Sequence, residues 1–211
     1  MSWKKSLMEI MAYFQLGTLF PNFFPILLDK QQRIGKICIF GGSFNPPHRG
    51  HVEATKILSR FFDEVIVVPC GYRIDKVYPD SKIRQPLLEK AFAAAGVTVD
   101  CRRITQKNLD PLELAKYYIQ EKKNKDVWVA MGTDVMIKHQ NDPQWPEYMA
   151  YNWIVLEREG YKLEKPLPPK SKILHLAYGR KIASSRIKKM LAEIAEILPE
   201  NCTIQDLLQF Q

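Results

Sequence analysis

The sequence predicts an α/β domain whose parallel sheet carries helices on both faces, and three observations predict it. From Gly35 onward, short apolar β-branched runs alternate with amphipathic runs of helical spacing. The first such run, Lys36-Ile37-Cys38-Ile39-Phe40, has the length and character of a buried strand. Between it and the helical pattern Ala54, Ile57, Leu58 and Phe61 lies the Gly/Pro-rich stretch Gly41-Gly42-Ser43-Phe44-Asn45-Pro46-Pro47-His48-Arg49-Gly50-His51.

That stretch joins a strand's carboxyl end to a helix's amino end. The first turn of a helix has N–H groups without partners and carries about half a positive elementary charge, so it suits phosphate oxygens. Gly41 and Gly42 let backbone approach an anion, and Pro46-Pro47 stiffens the turn. His48 and His51, three residues apart at the helix start, point two imidazoles toward the same place. Either histidine alone would read as a surface residue; both in one such turn read as a phosphate-handling pair.

Further along, Glu64-Val65-Ile66-Val67-Val68 is the second strand, and Lys82 to Ala95 a helix ending near Gly96. A third strand is expected from Val97 to about Ile104. Asp110-Pro111-Leu112-Glu113 supplies an N-cap, a proline at the first helical position and a carboxylate at the third, so a helix runs to about Lys122. Val127-Trp128-Val129-Ala130-Met131 is strand four, followed by Gly132-Thr133-Asp134 and a short helical region through Trp145 and Tyr148. Trp153-Ile154-Val155-Leu156 and Lys172-Ile173-Leu174-His175-Leu176 are the remaining strands. Ile187, Met190, Leu191, Ile194, Ile197 and Leu198 then mark one face of a final helix. Ser184 and Ser185 stand at its start with Lys188 one turn in, serving either as an ordinary cap or as a second anion site.

Residues 1–34 are set apart as an N-terminal extension, a helix plus an apolar Pro-broken strap, with 35–211 as the main domain. Pro21, Asn22 and Pro25 interrupt its apolar tail, which excludes an integral membrane span, and Glu9 and Gln15 intrude on any signal-peptide core. A strap packed on the domain or on another subunit of a homo-oligomer is the expectation. The 211 residues carry 31 basic and 23 acidic side chains, a net charge of +8 that suits an anionic ligand. No aromatic-rich nucleic-acid motif or long basic run accompanies it, so nucleic acid is not expected as a partner. Cys38, Cys70, Cys101 and Cys202 are scattered without a Cys-x-x-Cys pair, which reads as reduced thiols in a cytoplasmic protein with no structural metal.

The Gly41–His51 segment resembles the signature of the nucleotidylyltransferase superfamily, Gly-Gly-Thr/Ser-Phe-Asp/Asn-Pro-x-His-x-Gly-His, carried on a Rossmann-like doubly wound fold. The resemblance covers about residues 36 to 210, and within the superfamily the chain is similar to the nicotinate/nicotinamide mononucleotide adenylyltransferases. It implies AMP transfer from ATP, with Mg²⁺, to a mononucleotide, releasing pyrophosphate in NAD biosynthesis. Under it His48, His51 and Lys188 are catalytic, while Gly41, Gly42, Ser43, Phe44, Ser184, Ser185, Gly132 and Asp134 bind ATP. Asn45, Lys76, Trp145 and Arg158 would meet the acceptor. Alone, Asp134 would read as a helix cap and Trp145 as a core aromatic.

Two departures stand out. Ala183 and Lys188 occupy positions where the family carries Ser and Arg, and Lys keeps the charge while losing the bidentate fork. Asn108-Leu109-Asp110-Pro111 replaces a Ser-Tyr-Thr-like element of the bacterial nicotinate enzymes, and Arg73, Lys76 and Arg84 are read either as acceptor-phosphate contacts or as surface charges. Transfer to another phosphorylated acceptor such as phosphopantetheine, or a non-catalytic nucleotide sensor, are the competing expectations.

Overall fold

Strand β1, Gly35–Gly42, is buried from Ile37 through Phe40 because it is paired on both edges and covered on both faces. The computed structural model describes residues 34–73, 78–123, 126–158, 160–175 and Lys189. Within them β1 is followed by α1 (Arg49–Leu58), β2 (Phe62–Pro69), α2 (Ser81–Ala93) and β3 (Thr98–Val99). Then come α3 (Pro111–Lys122), β4 (Val127–Gly132), α4 (Thr133–His139), α5 (Trp145–Tyr148), β5 (Asn152–Leu156) and β6 (Ser171–Leu174).

The six strands are all parallel, in the order β3-β2-β1-β4-β5-β6. Side chains alternate across the sheet, so each strand feeds two cores. Cys38 and Phe40 join Ala54 and Leu58 of α1 and Leu88 and Phe92 of α2 on one face. Ile37 and Ile39 join Leu112, Leu114, Ala115 and Tyr118 of α3 on the other. This is the doubly wound arrangement expected, and its strand order reverses between β1 and β4. Phe40 lies opposite Ala130, so the last residues of those strands, Gly42 and Gly132, come level at the point where the helices depart to opposite faces. A crevice at the carboxyl ends of the strands, at such a reversal, is where this architecture binds ligands.

Local chemistry sets the element ends. Helix α3 begins with a reciprocal capping box: Glu113 N donates to Asp110 Oδ1 (2.8 Å), and Asp110 N donates to Glu113 Oε2 (3.0 Å). Strand β3 is far shorter than the Val97–Ile104 run expected. Asp100 N closes the ladder on Val67 O (2.8 Å), and the Asp100 carboxylate then accepts from Arg102 N (3.1 Å) and Tyr118 Oη (2.6 Å), turning the chain off the sheet. Strand β6 is the sheet's edge among the described residues, with Leu174 buried and Ile173 exposed. Of the proposed N-terminal extension only Ile34 is described, where its N–H donates to Phe61 O (2.8 Å), and the final helix at 187–198 also lies outside the described residues save Lys189.

The segment after β2 is held by loop-to-loop bonds. Tyr72 N donates to Gln106 O (2.6 Å), and Asn108 N donates to Tyr72 O (2.9 Å). Gly71 is required there, since a Cβ would stand 2.2 Å from Gln106 O and 2.8 Å from Arg103 O, both backbone atoms that cannot swing aside. Gly71→Ala is expected to destabilise the fold by about 1–3 kcal/mol, the cost of overpacking a tight contact. Urea unfolding of the variant beside the parent measures it, and an unchanged midpoint would show that the two loops part without cost.

Candidate functional site

At the carboxyl end of β1 the chain makes one irregular step before α1. Phe44 sits at φ 41, in the left-handed region that non-glycine residues avoid, and its ring is buried with 2% exposure. Gly42 makes that possible: a Cβ there would stand 2.7 Å from the Phe44 ring. The ring meets Phe40 (5.2 Å between centroids), Phe92 of α2 (5.4 Å) and His51 of α1 (4.9 Å), all edge-on. Gly41 has a packing role as well, because its Cβ would press on Leu114 of α3 at 2.9 Å.

His48 is the N-cap of α1, and His51 is its third helical residue. The His48 backbone N–H donates to His51 Nδ1 (3.3 Å), which leaves the proton of the neutral ring on Nε2, a donor available beyond the loop. The two imidazoles stack at 3.6 Å between centroids, 21° from parallel. His48 Nδ1 is buried without a hydrogen-bond partner. No acidic residue stands in the first turn of α1, so its amino terminus keeps its positive end uncompensated.

Across the strand reversal, β4 and β5 present a second group. Thr133 Oγ1 donates to Leu156 O (3.2 Å) and accepts from Arg158 N (3.1 Å), tying the ends of the two strands together. Arg158 Nη1 pairs with Asp134 Oδ2 (3.2 Å), whereas Asp134 Oδ1 is buried without a partner. Gly132 lies beneath both side chains, and a Cβ there would stand 2.5 Å from Asp134 Oδ1 and 3.0 Å from Arg158 Nε. The helix cap is Gly132 itself, so Asp134 is spared the capping role.

The Arg158 charge is felt at both histidines. Burial first, then the His48 ring and Arg158, push the His51 imidazole down to about 3. Burial and then Arg158 lower His48 too. Both rings are therefore neutral near neutral pH, standing as hydrogen-bond donors and acceptors beside one fixed guanidinium.

Of the residues singled out in the sequence, the fold gathers Gly41, Gly42, Ser43, Phe44, Asn45, His48, His51, Gly132, Asp134 and Arg158 at the reversal. Trp145 belongs to a different group: it leans on Tyr148 (5.2 Å), which stacks on Trp153 (4.8 Å) and His139 (5.5 Å) over the α3 face. Lys76, Ser184, Ser185 and Lys188 lie outside the described residues. Arg84 proves to be no surface charge. It is 4% exposed and bonded to two loops, and the signal was present in the sequence, since it stands in the helical stripe Arg84, Leu88, Phe92 where an apolar residue would be expected.

Fold and strand reversal together define an α/β protein of the doubly wound, nucleotide-binding class. The profile of the cytidylyltransferase-like family matches residues 39–190, a span that includes the Ser184–Lys188 segment. A probable nicotinate-nucleotide adenylyltransferase of Clostridium novyi (strain NT) is 28% identical over 149 residues, 64% of this chain and 72% of its own length. Another of that name from Sulfurimonas denitrificans is 26% identical over 172 residues, 79% of this chain and 90% of its own. In fold, the chain is similar to Plasmodium falciparum nicotinic acid mononucleotide adenylyltransferase complexed with NaAD, with a TM-score of 0.66 at 19% identity, covering 83% of this chain and 96% of that one. The chain belongs to the cytidylyltransferase-like family and is a nucleotidyltransferase.

The depressed histidine has a consequence for stability. The folded state binds fewer protons than the unfolded one between the ordinary histidine value of 6.5 and about 3, so the His51 contribution is complete above 6.5 and is lost as pH falls toward 3. The melting temperature should therefore fall with acidification more steeply in the parent than in His51→Gln. Parallel curves in differential scanning calorimetry would remove His51 from the account of acid lability.

Proposed function

We infer that this chain is an adenylyltransferase that joins AMP from ATP to nicotinate or nicotinamide mononucleotide, forming the dinucleotide and releasing pyrophosphate. The observation that carries the reading is the pair of neutral, stacked histidines at an uncompensated helix amino terminus, set level with Asp134 and Arg158 across the strand reversal. Nicotinate mononucleotide is the acceptor we propose, because the relatives from Clostridium novyi and Sulfurimonas denitrificans carry nicotinate in their names.

The acceptor phosphate is already an anion, so attack on the α-phosphorus of ATP needs no general base. Catalysis then rests on alignment and on charge moving to the leaving pyrophosphate. His48 and His51 donate to the triphosphate together with the amides of Gly42, Ser43 and Phe44. Ser184, Ser185 and Lys188 supply the second half of the clamp. Gly132 lets the adenosine approach, and the unpartnered Asp134 Oδ1 waits for a donor such as a ribose hydroxyl. Asn45, Lys76 and Trp145 are assigned to the acceptor, and Arg158 to the phosphates that cross between the two groups.

Mg²⁺ comes with ATP as counter-ion to its phosphates. Such an ion would be held by phosphate oxygens and water rather than by a protein cage; among the described residues no group of three or more His, Cys, Asp or Glu side chains could hold a metal ion. A cytoplasmic location agrees with the thiols of Cys38 and Cys101, and no helix among the described residues is long and apolar enough to cross a membrane.

Pyrophosphate release with ATP against nicotinate mononucleotide, nicotinamide mononucleotide and phosphopantetheine tests the acceptor, and turnover only with phosphopantetheine would overturn it. ATP binding without turnover on any acceptor would favour a nucleotide sensor. His48→Ala should lower kcat by about 10²-fold or more, the effect of removing one transition-state donor, with the circular dichroism spectrum unchanged. A kcat near that of the parent would withdraw His48 from the chemistry.

A further inference from the structure

Arg84 lies in the first turns of α2, under the phosphate loop rather than in it. Its guanidinium forks: Nη1 donates to Cys70 O (2.7 Å) at the end of β2, and Nη2 donates to Ser43 O (2.8 Å) in the loop after β1. Tyr78 covers it, with the guanidinium carbon 4.3 Å from the ring centroid, and Tyr78 Oη is 3.2 Å from Ser43 Oγ. A buried cation costs desolvation, and here two carbonyls and an aromatic face offset part of that cost while Nε stays buried without a partner. A leucine in the Arg84, Leu88, Phe92 stripe would pack there without that cost, so the stripe alone does not explain an arginine.

The peptide plane supplies the reason. Ser43 C=O and Phe44 N–H belong to one planar trans unit, in which the two bonds point in opposite directions. Holding Ser43 O against Arg84 therefore aims the Phe44 N–H away from α2 and the end of β2. The crevice between β1 and β4 opens at these same strand ends. The residue so aimed sits at φ 41, a conformation that the surrounding structure must impose.

We propose that Arg84, capped by Tyr78, is a positioning residue for nucleotidyl transfer: it fixes the Ser43–Phe44 peptide so that the Phe44 amide is aimed at the phosphates of the transition state. The proposal rests on the assignment of Gly41–His51 as the phosphate-binding element. Arg84 touches no substrate, and its effect travels through one peptide bond.

Arg84→Lys keeps the charge and loses the planar fork, while Arg84→Gln keeps a planar amide and loses the charge. Initial rates with ATP and nicotinate mononucleotide, normalised to the number of sites binding a non-hydrolysable ATP analogue, should show kcat falling about tenfold or more in both, as small misplacements at a reacting centre do. KM for ATP should stay within about threefold, the mark of an interaction used in the transition state. A merely structural arginine would lower the melting temperature and the fraction of binding sites, yet leave kcat per site unchanged; kcat per site within about twofold of the parent overturns the proposal. Tyr78→Phe removes only the hydroxyl beside Ser43 and decides the matter if both arginine variants are recovered unfolded. A fall of about twofold to fivefold in its kcat supports the proposal, and an unchanged kcat overturns it. His48→Ala run in parallel separates the two levels: an active His48→Ala defeats the reading of the loop, whereas an inactive one beside a fully active Arg84→Lys defeats only the role of Arg84.

Discussion

The buried ring of Phe44 is the constraint on which the rest of the site depends. A left-handed backbone at a phenylalanine costs about 1–2 kcal/mol, and burying the ring returns about 1.5–3 kcal/mol, so the strained step persists because the ring is sequestered. That ring touches one residue from each neighbouring element: Phe40 of β1, His51 of α1 and Phe92 of α2. Once it is seated, the loop has little freedom left, and α1 leaves the sheet with its amino terminus toward the reversal. Gly42 accommodates the ring before it accommodates any ligand.

The electrostatics follow from that seating. Packing His51 between Phe44 and His48 removes it from water, and stacked rings cannot share two positive charges cheaply. Neutral imidazoles are the outcome, leaving the charge to Arg158, whose guanidinium pairs with Asp134 and whose backbone N–H donates to the Thr133 hydroxyl. Under the proposed function, a site built in this way meets an incoming polyphosphate with neutral imidazole donors and the Arg158 cation. Little has to reorganise as charge moves, which is the condition under which such groups assist a reaction most.

How much of this was legible in the sequence differs element by element. The alternation of strands and helices, the cap at Asp110 and the glycine-to-histidine loop could be read directly, because each is a local signal: a period, a cap, a turn. The early end of β3 could not, since it depends on Asp100 meeting Tyr118, a partner 18 residues on that only the fold brings to it. Trp145 shows the same limit from the other side. It leans on Tyr148, which stacks on Trp153, and that neighbourhood could not be read from its spacing. Arg84 was readable as an oddity, a charge in an apolar stripe, but its meaning lay in two carbonyls 14 and 41 residues away along the chain.

The central claim is that His48 and His51 are neutral donors to the phosphates of ATP at the strand reversal. Nitrogen NMR of the protein labelled in its four histidines tests it most directly, by titrating a non-hydrolysable ATP analogue near neutral pH. In the free protein His51 should carry its proton on Nε2, and the analogue should shift the resonances of His48 and His51 while leaving His139 in place. Rings already protonated without nucleotide, or an analogue that moves His139 and leaves His48 and His51 unchanged, would contradict it.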